Sequence, residues 1–194
     1  MLSVAYKISF CKEAGKASTG REKMKFNNLF FCIMHSKIFQ ITQKRVEKDC
    51  YLNEDTLMQG AGSFFDYCGE IDEEERQLHI ENLVNGVLPK GMFEFVSKDT
   101  IRYLGGADEW KQNFAKAVRL KAEDVIPEKV QEWIGPVYQL EKFLKNPLDT
   151  GYWFYLDENG VQSYAEQSYE FLREVCGLEP GTLLYIGGVI DYHF

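Results

Sequence analysis

The stretch PGTLLYIGGVIDYHF, residues 180–194, sets two β-rich runs, TLLYI and VIDYHF, on either side of Gly187-Gly188. Two adjacent glycines take the positive φ of a tight primed turn without steric cost, so the stretch predicts a two-residue hairpin, not a phosphate cradle. The register that follows places Ile186 opposite Val189, Leu184 opposite Asp191 and Thr182 opposite His193. Leu183, Tyr185, Ile190, Tyr192 and Phe194 would then share a core face. Thr182, Asp191 and His193 would gather at the open end of the other face.

Working back along the chain, KIFQITQ (37–43) predicts a first strand, and residues 53–71 read as a loop or short helix. Asp72 caps a predicted helix whose first turn is Glu73-Glu74-Glu75, and Gly86 closes it as a left-handed cap. MFEFVSKDTIRYL (92–104) predicts a hairpin around Ser97-Lys98-Asp99. After Gly105-Gly106 a helix is expected over 107–123, held by burial of its aromatic stripe. Pro127 opens a short amphipathic piece containing Val130, Trp133 and Ile134, and a further helix carries Val137, Leu140, Phe143 and Leu144 up to Asn146-Pro147. GYWFYL (151–156) predicts a strand followed by a turn at Asp157–Gly160, and a last helix spans 163–176. These elements add up to an α+β fold: one two-layer domain of β-hairpins, mostly antiparallel, packed with about five helices.

The domain is expected to occupy residues 37–194, with residues 1–36 as a basic, poorly ordered extension. Residues 1–36 hold six Lys/Arg and two Glu, against a chain net charge of −8. Met1, Met24 and Met34 all precede the first strand, and Gly20–Met24 (GREKM) reads like a translated purine-rich ribosome-binding sequence of bacterial type. Residues 1–23 are therefore expected to be an over-extended gene start. The segment from Met24 lacks a small-residue cleavage site, and no apolar run approaches the ~18 residues of a membrane span, so neither signal peptide nor membrane is predicted.

An acidic body excludes passive nucleic-acid binding, which needs clustered cations to release counterions. Cys11, Cys32, Cys50, Cys68 and Cys176 form no C-x-x-C pair, which suits a reducing cytoplasm and neither a disulfide scaffold nor a zinc site. No complete cofactor motif is present. GKASTGREK (15–23) puts Arg21-Glu22 where a phosphate loop needs Lys-Ser/Thr, and QGAGSF (59–64) lacks the third glycine of a dinucleotide fingerprint. The acidic run at 66–75 matches a calcium loop only in part and serves better as a helix N-terminus.

Two functional expectations follow. The first is a non-catalytic protein that binds a basic or neutral protein partner, with Trp133, Trp153 and Tyr155 as aromatic anchors. An acidic inhibitor, including one that mimics DNA in the basic groove of a nucleic-acid enzyme, falls within this class. The second is a cofactor-independent hydrolase or transferase built on an Asp191/His193 pair with Thr182 nearby.

Overall fold

The computed structural model describes residues 35–193. The expected extension, except its last two residues, and the alternative starts lie outside the described residues. Among the described residues six strands and four α-helices form a single mixed α+β unit. The strands are β1 (His35–Thr42), β2 (Tyr67–Glu70), β3 (Phe93–Ser97), β4 (Thr100–Tyr103), β5 (Trp153–Tyr155) and β6 (Leu183–His193). The helices are α1 (Glu73–Asn82), α2 (Ala107–Glu123), α3 (Pro136–Lys145) and α4 (Ser168–Val175).

The predicted terminal hairpin is absent: residues 183–193 form one continuous strand through both glycines. β6 is the centre of the sheet, whose order is β3-β4-β6-β1-β5 with β2 also paired to β6. All pairs are antiparallel except β1 with β5. The glycines serve close approach instead of a turn. Phe39 pairs with Val189 and Ile41 with Ile186, so Gln40 alone faces Gly187 and Gly188 across a bulge. A Cβ on Gly187 would collide with the Gln40 carboxamide, and one on Gly188 with the backbone of Leu52.

Gln40 is fully buried and makes every hydrogen bond its amide allows. Its Nε2 donates to the carbonyls of Cys50 and Asp157, at 3.0 and 3.1 Å. Its Oε1 accepts from the backbone N–H groups of Leu52 and Gly188, both at 3.0 Å. One side chain thus ties β1 and β6 to the two loops that cross the sheet.

Arg76 closes the opposite edge of β6. β4 pairs with residues 183–185 and β2 with residues 190–193, which leaves a gap between them. The Arg76 guanidinium fills it, with Nη2 donating to the carbonyls of Ile186 and Gly187 at 2.9 and 2.7 Å and Nη1 to Asp99 Oδ1 at 2.6 Å.

One sheet face packs Phe39, Ile41, Leu184, Ile186 and Val189 against Ile80 and Leu83 and against Phe171, Leu172 and Val175 of α4. The other packs Ile38, Ile190 and Tyr192 against Leu52, Leu57, Phe65 and Ala165 from the loops. Helices therefore cover one face and irregular chain the other.

Several boundaries differ from expectation for local reasons. Asp72 caps α1 as predicted, accepting from Glu75 N at 2.8 Å. Gly86 does not end the helix in a left-handed cap. The chain instead widens into a π turn over Leu83–Val87, closed by Leu88 N–H on the Leu83 carbonyl. Residues 127–135 form successive turns and not a helix, which brings the count to four instead of about five. α4 begins at Ser168 because Glu166 is held extended by a reciprocal backbone pair with Phe154.

Candidate functional site

The terminal-strand candidates separate. Thr182 precedes β6 and donates its hydroxyl to the Glu179 carbonyl at 2.6 Å. Asp191 lies nine residues further on, about 30 Å along an extended strand. The hairpin that would have joined them does not form, so Thr182 is not beside Asp191 and His193.

Asp191 instead belongs to an ionic cluster on the helix-covered face of the sheet. Alternation along β1 and β6 puts His35, Lys37, Asp191 and His193 on that face, where α1 contributes Glu75 and His79. Lys37 Nζ lies 2.7 Å from Asp191 Oδ1 and 3.0 Å from Glu75 Oε1. His35 Nδ1 is 2.7 Å from Asp191 Oδ2, and the rings of His35 and His193 are 5.3 Å apart. His79 reaches the Tyr152 hydroxyl at 3.2 Å and Glu75 at 3.6 Å. All three histidines of the chain thus surround one buried lysine.

Burial pulls the Lys37 pKa down, but hydrogen bonds and charge from Asp191 and Glu75 outweigh it and hold the pKa above its ordinary value. Burial, with the Lys37 charge next, pushes the His79 pKa down against the pull of Glu75. These groups satisfy one another. Among the described residues no Ser, Thr or Cys is hydrogen-bonded to Asp191, His35 or His193, so the cluster contains no activated nucleophile of the triad kind. Nor does any group of three or more His, Cys, Asp or Glu among them suit a metal ion.

The three aromatic candidates also part company. Tyr155 is wholly buried, donates its hydroxyl to the Gln162 carbonyl at 2.9 Å, and is a core residue. Burial and the neighbouring Asp157 push its phenol up to about 12. Trp153 is half-buried, lying against Phe64, Phe65 and Tyr192 with ring centroids 4.6, 5.5 and 6.5 Å away. Trp133 is 91% exposed.

Trp133 stands at the tip of an arm made by α2, the turns at 124–135 and α3. Gly106 leads into α2 with φ 95°, and Pro136 opens α3 at its first turn, where a missing N–H costs nothing. α2 and α3 bury none of their residues. The arm is fastened to the body by a run of rings: Trp110 on Phe114 at 5.1 Å, and Phe114 on Phe143 at 5.5 Å and on Tyr169 at 5.8 Å. Val130, Trp133, Ile134, Val137 and Tyr138 recur at three and four and are all exposed. That spacing signals an apolar stripe, but it carries no sign of which way the stripe faces.

Beside β5 lies a groove of about 550 Å³ with apolar walls from Phe64, Leu144, Trp153 and Tyr169, and with Glu166 and Glu170 along it. No described helix is long and apolar enough to cross a membrane. Compared with protein-family models, curated proteins and solved structures, the chain matches none.

Proposed function

We propose that this protein is a non-catalytic binding protein that docks another protein, basic or neutral in charge, through the apolar stripe of its two-helix arm. The observation that carries the reading is Trp133, 91% exposed beside Ile134 at 64%. A large apolar ring held in water is unfavourable by about 25 cal/mol per Å² of its surface, and tryptophans of this kind are typical interface anchors. The acidic body adds steering: a basic partner is drawn in and oriented by charge while the neutral arm supplies contact area. An inhibitor that occupies the basic groove of a nucleic-acid enzyme belongs to this class. The free thiols of Cys50, Cys68 and Cys176 suit a reducing cytoplasm.

The test is site-specific photo-crosslinking in cells of the native source, with a benzophenone amino acid at position 133 and, as control, at the exposed Lys90 of the body. A discrete heterologous adduct at 133 and none at 90 is expected. Adducts at neither position, or only a dimer of this chain, overturn the proposal.

A further inference from the structure

The groove beside β5 combines two features that the arm lacks. Its walls carry three aromatic rings, Phe64, Trp153 and Tyr169, and its polar lining holds two carboxylates, Glu166 and Glu170, beside Lys145 and Gln167. Trp153 and Phe64 meet at 49° with centroids 4.6 Å apart, so they form a corner and not a flat wall. Tyr169 and Leu144 line the same groove.

Glu166 is partly buried, and among the described residues no lysine, arginine or histidine pairs with its side chain. Lys145, which lines the groove, pairs with Glu141 at 2.8 Å, and Arg173 already neutralises Glu170 at 2.6 Å, so Glu166 is the groove carboxylate left without a cation. Burial, and then the charge of Glu170, hold the Glu166 carboxyl above its usual range. A cation placed beside Glu166 would offset both effects. The surroundings point the same way, because residues 146–194 contain eight Asp/Glu and a single Arg.

We infer that this groove receives the cationic head of a lysine or arginine side chain from an extended basic segment of the protein partner. The cation lies over the Trp153 and Tyr169 rings, where the ring quadrupole attracts it, and is neutralised by Glu166. The alkyl stem of the same side chain packs on Leu144 and Phe64. α3, about 15 Å long, spans the distance from the arm tip to this groove, so one partner can occupy both. This inference deepens the reading given above and rests on it for the nature of the partner.

The test uses two peptides of equal length, acetyl-hexalysine amide and the same peptide with every ε-amine acetylated. Each is titrated into the full chain at low salt while the indole N–H resonances of Trp110, Trp133 and Trp153 are followed by NMR. The Trp153 resonance is expected to move with the charged peptide and stay still with the acetylated one. Glu166→Gln and Tyr169→Leu, both at the groove surface, should each weaken binding about fivefold. If the charged peptide binds but leaves Trp153 unmoved, or binds both variants as tightly as the parent, the attraction is diffuse and the inference falls. No binding overturns it as well. The crosslinking at position 133 is read independently, so the groove inference can fail while the arm reading survives.

Discussion

Residues 107–145 hold seven Lys/Arg and seven Asp/Glu, whereas the rest of the chain from 37 onward holds nine against twenty-one. The arm is electrically neutral and buries no residue of either helix; the body carries all the excess negative charge and all the core. In the body, polar side chains are drawn inward, Gln40 and Arg76 to complete the backbone and Lys37 to pair with Asp191 and Glu75. In the arm, apolar side chains are left outward. The difference teaches that stability and recognition reside in separate parts of this molecule. Substitutions should therefore sort cleanly by region.

The largest effect should come from Gln40→Leu. It leaves the N–H groups of Leu52 and Gly188 without partners in a dry site, and each such orphan is worth about 1–3 kcal/mol, so a loss of about 3 kcal/mol is expected in urea unfolding. Gly188→Ala attacks the same junction from the other strand, through overpacking against Leu52, at about 1–3 kcal/mol. If either variant unfolds at the parent's urea midpoint, the body does not depend on this hub and the contrast collapses.

Arg76→Met comes next, with a loss of about 2 kcal/mol, because Asp99 loses its ion pair and two carbonyls of β6 lose their donors. Thermal melts of the variant and the parent decide it. A variant as stable as the parent would mean that water closes the gap in the sheet as well as the guanidinium does.

A smaller, pH-dependent effect is expected from His79. Its folded pKa is depressed, so the unfolded chain binds its proton more readily, and the stabilisation present above the unfolded value near 6.5 is lost as pH falls below it. Melting temperatures of the parent and His79→Gln between pH 7.5 and 5 should diverge at the acid end, with the parent losing more. Parallel curves would remove His79 from the cause.

Trp133→Ala should do least to the fold, within about 0.5 kcal/mol of the parent, as for exposed positions without special contacts. The same change, with the crosslinker moved to Tyr138, should abolish the heterologous adduct. Destabilisation by more than 1 kcal/mol would show that the arm is held by its tip and is not a displayed surface.

Much of the local structure was legible because its signals are local. Asp72 with three following glutamates and Gly105-Gly106 before α2 each act through neighbouring backbone. The hairpin of β3 and β4 was legible for the same reason, whereas the proline that opens a helix is Pro136 and not the expected Pro127. What the residues alone could not convey is what lies across from them. Gly187-Gly188 fits a turn and a close approach equally well, and only Gln40, some 150 positions away, decides between them. Gln40 itself, in an apolar run, resembles a solvent-facing residue of an edge strand. β2 is four residues long and gains its identity from β6. Val130, Trp133 and Ile134 have the period of a core-facing helix, yet the chain forms turns there and leaves all three exposed. Trp153 stood out from its strand, whereas the carboxylates beside it come from another element, and their convergence is a property of the tertiary fold.

β6 pairs with β1, β2 and β4, and it is last of them in sequence order. While the chain is being made, the hairpin of β3 and β4 can form, but β1 waits through some 140 residues for the strand it requires. Pairings of such long sequence separation make folding slow and tie it to the synthesis of β6. Until then β1 and the β3–β4 hairpin lack the strand that joins them, and a ribosome stalled before residue 183 would carry a nascent chain with a helical arm but no joined sheet.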